Sequence, residues 1–139
     1  MMNAEQKAYA LARAAYQLAK DEIKRYEQDF IVRENVHNQD GSVPDHIWAI
    51  DTGFDEDYFD ALCDKLYAED AFQALCNAET EAYKNLQAAE ERLIDYGLSL
   101  PMPENIRQTL QEHRKEYKIR DKLIDLAFRL DTRTVKARV

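Results

Sequence analysis

The side chains of this chain best equipped for chemistry are three histidines (His37, His46, His113), two cysteines (Cys63, Cys76) and a dense run of acids between Asp40 and Asp70. A di-iron bundle needs inward carboxylates and a Glu-x-x-His unit on each of two helices. The residue three before His113 is Leu110, so that unit is absent. His37 and His46 stand apart from any cysteine pair, and zinc sites need His and Cys at characteristic spacing. Calcium through an EF-hand loop fails on position. Asp51-Thr52-Gly53-Phe54-Asp55 puts acids first and fifth, but Glu56 replaces the turn glycine and Leu62 the closing glutamate. In Asn38-Gln39-Asp40-Gly41-Ser42 the glycine falls at the fourth position. A metal-dependent enzyme is therefore the least supported reading, and no cofactor is expected.

Nucleophilic and phosphate chemistry fare no better. The chain has three glycines and none of the patterns G-x-x-x-x-G-K, G-x-G-x-x-G, G-x-S-x-G or C-x-x-C. A reactive cysteine wants a nearby base and an electropositive setting, whereas Cys63 and Cys76 lie on apolar stripes in the acid-rich half. On one continuous helix they would stand roughly 20 Å apart, well beyond the ~7 Å Cα separation a disulfide allows. Two free thiols suit a reducing compartment, and the cytoplasm is the expected location.

What remains is charge and one aromatic. Ten acids (Asp40, Asp45, Asp51, Asp55, Glu56, Asp57, Asp60, Asp64, Glu69, Asp70) stand against one base, Lys65. Residues 1–34 carry six bases and six acids, residues 35–103 three bases and fifteen acids, and residues 104–139 ten bases and six acids, for a net charge of −8. Asp55, Glu56, Asp57 and Asp60 fall in the first turns of an expected helix, where its dipole stabilises acids. Other acids have a natural partner in the basic third helix (Arg107, Arg114, Lys115, Lys118, Arg120, Lys122). The acids left over are Asp40, Asp45 and Asp51 around Trp48, and Asp64, Glu69 and Asp70 further on. Trp48, the sole tryptophan, sits in the apolar run Ile47-Trp48-Ala49-Ile50. It reads either as a lid over a bundle end or as an anchor for a partner, since tryptophan is enriched at binding hot spots. Trp48 with those six acids is the candidate partner-binding surface.

These residues must be positioned by helices. Hydrophobic residues make up 45 % and charged ones 33 %, with three glycines and three prolines, the composition of a helical protein. Asn3 and Gln6 form a capping box. After them Tyr9, Ala12, Tyr16, Ala19, Ile23, Tyr26 and Phe30 alternate steps of three and four, a heptad seam predicting helix 1 over about 3–34. Beside it runs a second stripe, Ala8, Leu11, Ala15 and Leu18, enough for a second neighbour in this chain or in another copy. Asp40-Gly41 and Pro44 make 35–54 a loop or small hairpin. Helix 2 is expected over about 55–96, with Gly97 as its C′ residue. Its stripe shifts phase between Phe59, Leu62, Leu66 and Leu75, Glu79, Ala82, Leu86, Ala89, Leu93, Tyr96, which predicts a break near 67–72. Pro101 and Pro103 interrupt before helix 3, about 104–131, with a seam of Ile106, Leu110, His113, Tyr117, Ile124 and Ala127. A basic tail, 132–139, is expected to fray or form an extended strand.

The expected fold is therefore a single all-α domain over 1–139. It is an elongated antiparallel three-helix bundle with coiled-coil-like packing and an irregular loop or small hairpin between helices 1 and 2. The expected function is a non-enzymatic protein–protein interaction or scaffold role, with a homodimer as its form and a basic protein as the partner its charge suits. The alternative is a small acidic inhibitor, of mobile-element or phage type, presenting carboxylates to a nucleic-acid-binding protein in place of phosphates. Net negative charge argues against direct nucleic-acid binding, and no run of 18 apolar residues suggests a membrane span.

Overall fold

The structure, a computed structural model, describes residues 2–53 and 55–137, with side chains described as far as Phe128. Five α-helices carry the described chain: α1 (Ala4–Arg33), α2 (Glu56–Ala68), α3 (Asp70–Ser99), α4 (Glu104–Glu112) and α5 (Tyr117–Ala137). A 3₁₀ turn spans Ile47–Ala49, and there is no strand among the described residues. None of the described helices is long and apolar enough to cross a membrane. The fold is all-helical, with five α-helices among the described residues: the expected helix 2 is divided within the span 67–72, where the sequence predicts a break, and the expected helix 3 is divided as well.

The first division lies at Glu69. Its backbone is extended (φ −74°, ψ 124°), and α3 begins at Asp70. The two apolar stripes are out of phase, so one straight helix would turn one of them to water. Breaking at Glu69 lets Leu66 (0 % exposed) and Phe72 (3 %) enter the same core. Gln73 Nε2 donates to the carbonyl of Tyr67 at 2.8 Å and satisfies one of the acceptors that the end of α2 leaves open.

The second division lies at His113, the C-cap of α4. The seam expected through it forms only in part. Ile106 is 47 % and Tyr117 80 % exposed. Arg107 turns back onto the end of α3, donating to the carbonyls of Leu98 (2.8 Å) and Leu100 (3.0 Å). Leu110, Ile124 and Ala127 of the expected seam do reach the core, joined there by Ile119 and Leu123. Helix α5 continues to Ala137, beyond the anticipated end at Asp131, and the last two residues of the basic tail lie outside the described residues.

Two compact units divide the chain, one made of residues up to Ala15 together with those from Tyr83 onward, the other of Tyr16–Ala82. In the first, Leu93, Ile94, Leu98, Leu123, Ile124 and Ala127 form the core, with Tyr9 packed edge-on to Phe128 (ring centroids 5.8 Å apart). The capping box is made: Asn3 N–H donates to Gln6 Oε1 (2.9 Å) and Gln6 N–H to Asn3 Oδ1 (2.8 Å). Gln6, 1 % exposed, also donates through Nε2 to the carbonyls of Ala127 (3.0 Å) and Phe128 (2.9 Å). Gly97 does not end a helix. It lies inside α3, and a Cβ there would stand 3.0 Å from the Ala127 Cβ, so its missing side chain serves close approach of α5.

In the second unit Phe30, Ile31, Val36, Ile47, Leu62, Leu66 and Phe72 form the core. Helix α1 stops by a Schellman arrangement. Asn35 takes a left-handed conformation (φ 55°), Val36 N–H reaches the Ile31 carbonyl at 3.0 Å, and Asn35 N–H reaches that of Val32 at 3.1 Å. Asparagine is among the few non-glycine residues that tolerate this geometry. Along α1 the heptad seam from Tyr9 to Phe30 is at least half-buried, while Leu11 (73 %) and Leu18 (59 %) of the second stripe are exposed.

Candidate interaction site

The loop after α1 is built from short side chains that bond their own backbone. Asp40 Oδ1 accepts from Ser42 N–H (2.9 Å) and Ser42 Oγ–H (2.6 Å), and Gly41 supplies the positive φ (86°) that the turn requires. These bonds from Ser42 hold the Asp40 carboxyl below the usual carboxylate range. The loop then returns on itself. Asn38 Oδ1 accepts from Asp51 N–H (2.7 Å), and Gln39 N–H donates to the Asp51 carbonyl (3.1 Å). Asp51 Oδ1 in turn accepts from Gly53 N–H at 3.0 Å. Gly53 has φ 67°, and the Gln39 amide occupies the space a Cβ would need.

Between these turns the chain is pinned by Ile47, 2 % exposed, whose N–H donates to Glu27 Oε1 at 3.2 Å. Pro44 is buried as well. The apolar run thus splits its duties: Ile47 is the residue driven into the core, and Trp48 remains 70 % exposed. The Trp48 indole meets the Phe59 ring at 5.8 Å between centroids, tilted by 50°. Asp55 caps α2 by accepting from Tyr58 N–H at 3.1 Å. Trp48, Ile50, Asp51, Thr52, Gly53, Glu56, Phe59 and Asp60 line an open cleft of about 350 Å³.

Of the seven residues anticipated as a binding surface, Trp48 and Asp51 share this cleft. Asp40 adjoins it through the Asn38 and Gln39 bonds to Asp51, and Asp45 is exposed on the same loop. Asp64 is exposed on α2 and Asp70 at the start of α3. Glu69 is engaged by the protein itself. Its carboxylate takes a two-pronged contact from Arg33 Nη2 (2.6 and 2.7 Å) and a bond from Tyr26 O–H (3.1 Å). The Arg33 bond holds the Glu69 carboxyl below its ordinary range. Glu56 and Asp60 also line the cleft, although the sequence accounts for them by the helix dipole alone. Their spacing of four along α2, with Phe59 between, is the signal that places them on one face.

The described arginines Arg114 and Arg120 of the basic third segment are engaged within their own unit. Arg114 pairs with Glu91 (2.8 Å) and Asp95 (2.7 Å), and Arg120 with Glu90 (2.9 Å) and Glu91. Those acids belong to α3, outside 40–70. Lys65, the single base of the band, is bound to Glu34 at 2.8 Å. Among the described residues, Glu69 is the one band acid in an ion pair; every other band acid placed here is exposed.

The remaining candidates for chemistry are structural in their contacts. His113 Nδ1 lies 2.7 Å from Glu116 Oε1 across the α4–α5 turn, and that carboxylate raises the imidazole pKa. Cys63 and Cys76 fall on two different helices, so the single-helix separation inferred from sequence does not apply. Both are free thiols packed against the same core cluster. Burial first, then the charges of nearby acids such as Asp60 for Cys63 and Glu79 for Cys76, push their pKa values up and keep them protonated. Among the described residues no three His, Cys, Asp or Glu side chains converge on a common point. No protein-family model, curated protein or solved structure matches this chain.

Proposed function

We propose that this protein is a non-enzymatic protein–protein interaction module whose working surface is the Trp48 cleft and the acids around it. The observation that carries this reading is the 70 % exposure of the chain's one tryptophan in a cleft it shares with the exposed carboxylates of Asp51, Glu56 and Asp60. Exposing an indole costs hydrophobic free energy that burying Trp48 in place of Ile47 would recover, and tryptophan is enriched where partners anchor. The test is affinity capture from the native host with the intact protein and with Trp48→Ala. A partner retained by the first and lost from the second supports the reading; identical partner sets overturn it.

The exposed acids of the band favour one specific form of this role, a small acidic inhibitor of a nucleic-acid-binding protein. Carboxylates in an open row offer Arg and Lys the same negative, multiply accepting surface that phosphates do. In that case the captured partner binds nucleic acid, and nucleic acid competes with this protein for it. The complex also weakens steeply with salt, which a scaffold with an apolar interface does not. The homodimer belongs to the same reading, through the exposed Leu11 and Leu18 of α1. A light-scattering mass of one chain at micromolar concentration overturns it.

A further inference from the structure

We infer that the Trp48 cleft receives an arginine side chain from a basic protein segment. This rests on the interaction role proposed above and names the chemistry of its occupant. The cleft has two kinds of wall. Trp48, Ile50 and Phe59 supply apolar and aromatic surface, and Asp51, Glu56 and Asp60 supply carboxylates. An apolar side chain would satisfy the first wall and desolvate the second without a partner. An anion would be repelled by three carboxylates. A cation that is also flat and weakly hydrated satisfies both. Guanidinium stacks on indole faces and presents five N–H donors in a fork that matches carboxylates, whereas the compact lysine ammonium does the second alone and is more strongly hydrated.

Among the described residues no Lys or Arg pairs with Asp51, Glu56 or Asp60. The one base of the band, Lys65, is held by Glu34 at 2.8 Å, and Arg33 is held by Glu69. The wall is also set before a ligand arrives. Asp51 is fixed through its N–H, its carbonyl and its Oδ1 by Asn38, Gln39 and Gly53. Asp55 caps the helix that carries Glu56, Phe59 and Asp60. Pre-organisation of this kind reduces the ordering cost of binding.

Because Trp48 is the only tryptophan, its emission reports on this cleft directly. The full chain is titrated with a blocked glycine–arginine peptide, and with the same peptide carrying lysine or citrulline in place of arginine. The expected result is a saturable change in Trp48 emission with the arginine peptide, with lysine several-fold weaker and citrulline about tenfold weaker. The triple variant Asp51→Asn/Glu56→Gln/Asp60→Asn should bind the arginine peptide about tenfold more weakly. Removing three charges elsewhere in the same unit, by Asp21→Asn/Glu22→Gln/Asp29→Asn, should change affinity by less than about twofold. Circular dichroism establishes that both triple variants are folded. No emission change at millimolar arginine peptide overturns the inference, as does an equal response to citrulline. Equal weakening by the two triple variants overturns it too, since overall charge would then be responsible. If host partners are still lost with Trp48→Ala while the arginine peptide fails to bind, the interaction role stands and the arginine occupant falls.

Discussion

The two compact units treat charge in opposite ways. The unit built from the chain's ends spends its arginines on its own acids: Arg114 and Arg120 are side chains at most one-fifth exposed, and both reach carboxylates of α3. The unit of residues 16–82 holds the acidic band and two of the cations that might answer it. Lys65 is committed outside the band, to Glu34, and Arg33 answers a single band acid, Glu69. Packing does not explain the contrast. Each unit has residues sealed from solvent, Leu93 and Ile94 in one and Ile31 and Leu66 in the other, all 0 % exposed. The difference teaches that the acidic band is not a by-product of a loose fold. A well-packed unit presents it.

The largest test of that comparison is to damage both cores alike. Leu66→Ala and Leu93→Ala should each cost about 2–5 kcal/mol in denaturant unfolding, by lost transfer energy and a residual cavity. A much smaller cost for Leu66→Ala would mean the acidic unit is softer than its burial implies, and the contrast would then be one of packing. Next in size is Gln6→Leu. It removes two side-chain donors to the Ala127 and Phe128 carbonyls and half of the capping box, for about 1–3 kcal/mol. Its effect should appear in the amide protection of α5 and leave Trp48 emission unchanged.

Smaller again is Arg120→Gln, about 1 kcal/mol at low salt and less at high salt, because Glu91 is half exposed. The last test is pH. Glu69 and Glu91 both have lowered pKa values, Glu69 from its hydrogen bond to Arg33 and Glu91 from its hydrogen bond to Arg120. Their stabilisation is complete above the unfolded carboxylate pKa and is lost as pH falls through the folded values, so acid weakens both units. His113 acts in the other direction and in one unit alone. Its pKa is raised by Glu116, so its contribution is complete below the unfolded imidazole pKa and disappears as pH rises through the folded value. Glu116→Gln should return the His113 titration, followed by NMR, toward the ordinary imidazole value.

Periodicity made much of this architecture legible. The stripe from Tyr9 to Phe30 and that from Leu75 to Tyr96 are both at least half-buried, and Asn3 with Gln6 closes the capping box. Where reading failed, a residue had two physical uses and the fold took the less common one. Gly97 suits a helix end by its conformational freedom, but it serves instead by its small size against Ala127. His113 falls in step with Leu110 and Tyr117, yet it caps α4 and the phase resets after it. The cleft was half legible. Trp48 and Asp51 were identifiable as leftovers of the structural accounting, whereas Glu56 and Asp60 were hidden by a sufficient local explanation. That Arg114 and Arg120 pair with Glu90, Glu91 and Asp95 depends on which helices meet, and no linear pattern encodes that.

The bond from Gln6 to Ala127 joins residues 121 apart in sequence. A chain emerging from the ribosome therefore cannot complete the unit holding this bond until Ala127 has been made. The unit of residues 16–82, by contrast, is continuous in sequence. Domains tend to fold in the order of synthesis, and contacts between distant residues form late. Every residue of the acidic surface and its tryptophan is thus made before Leu123, Ile124 and Ala127, which the other unit's core requires.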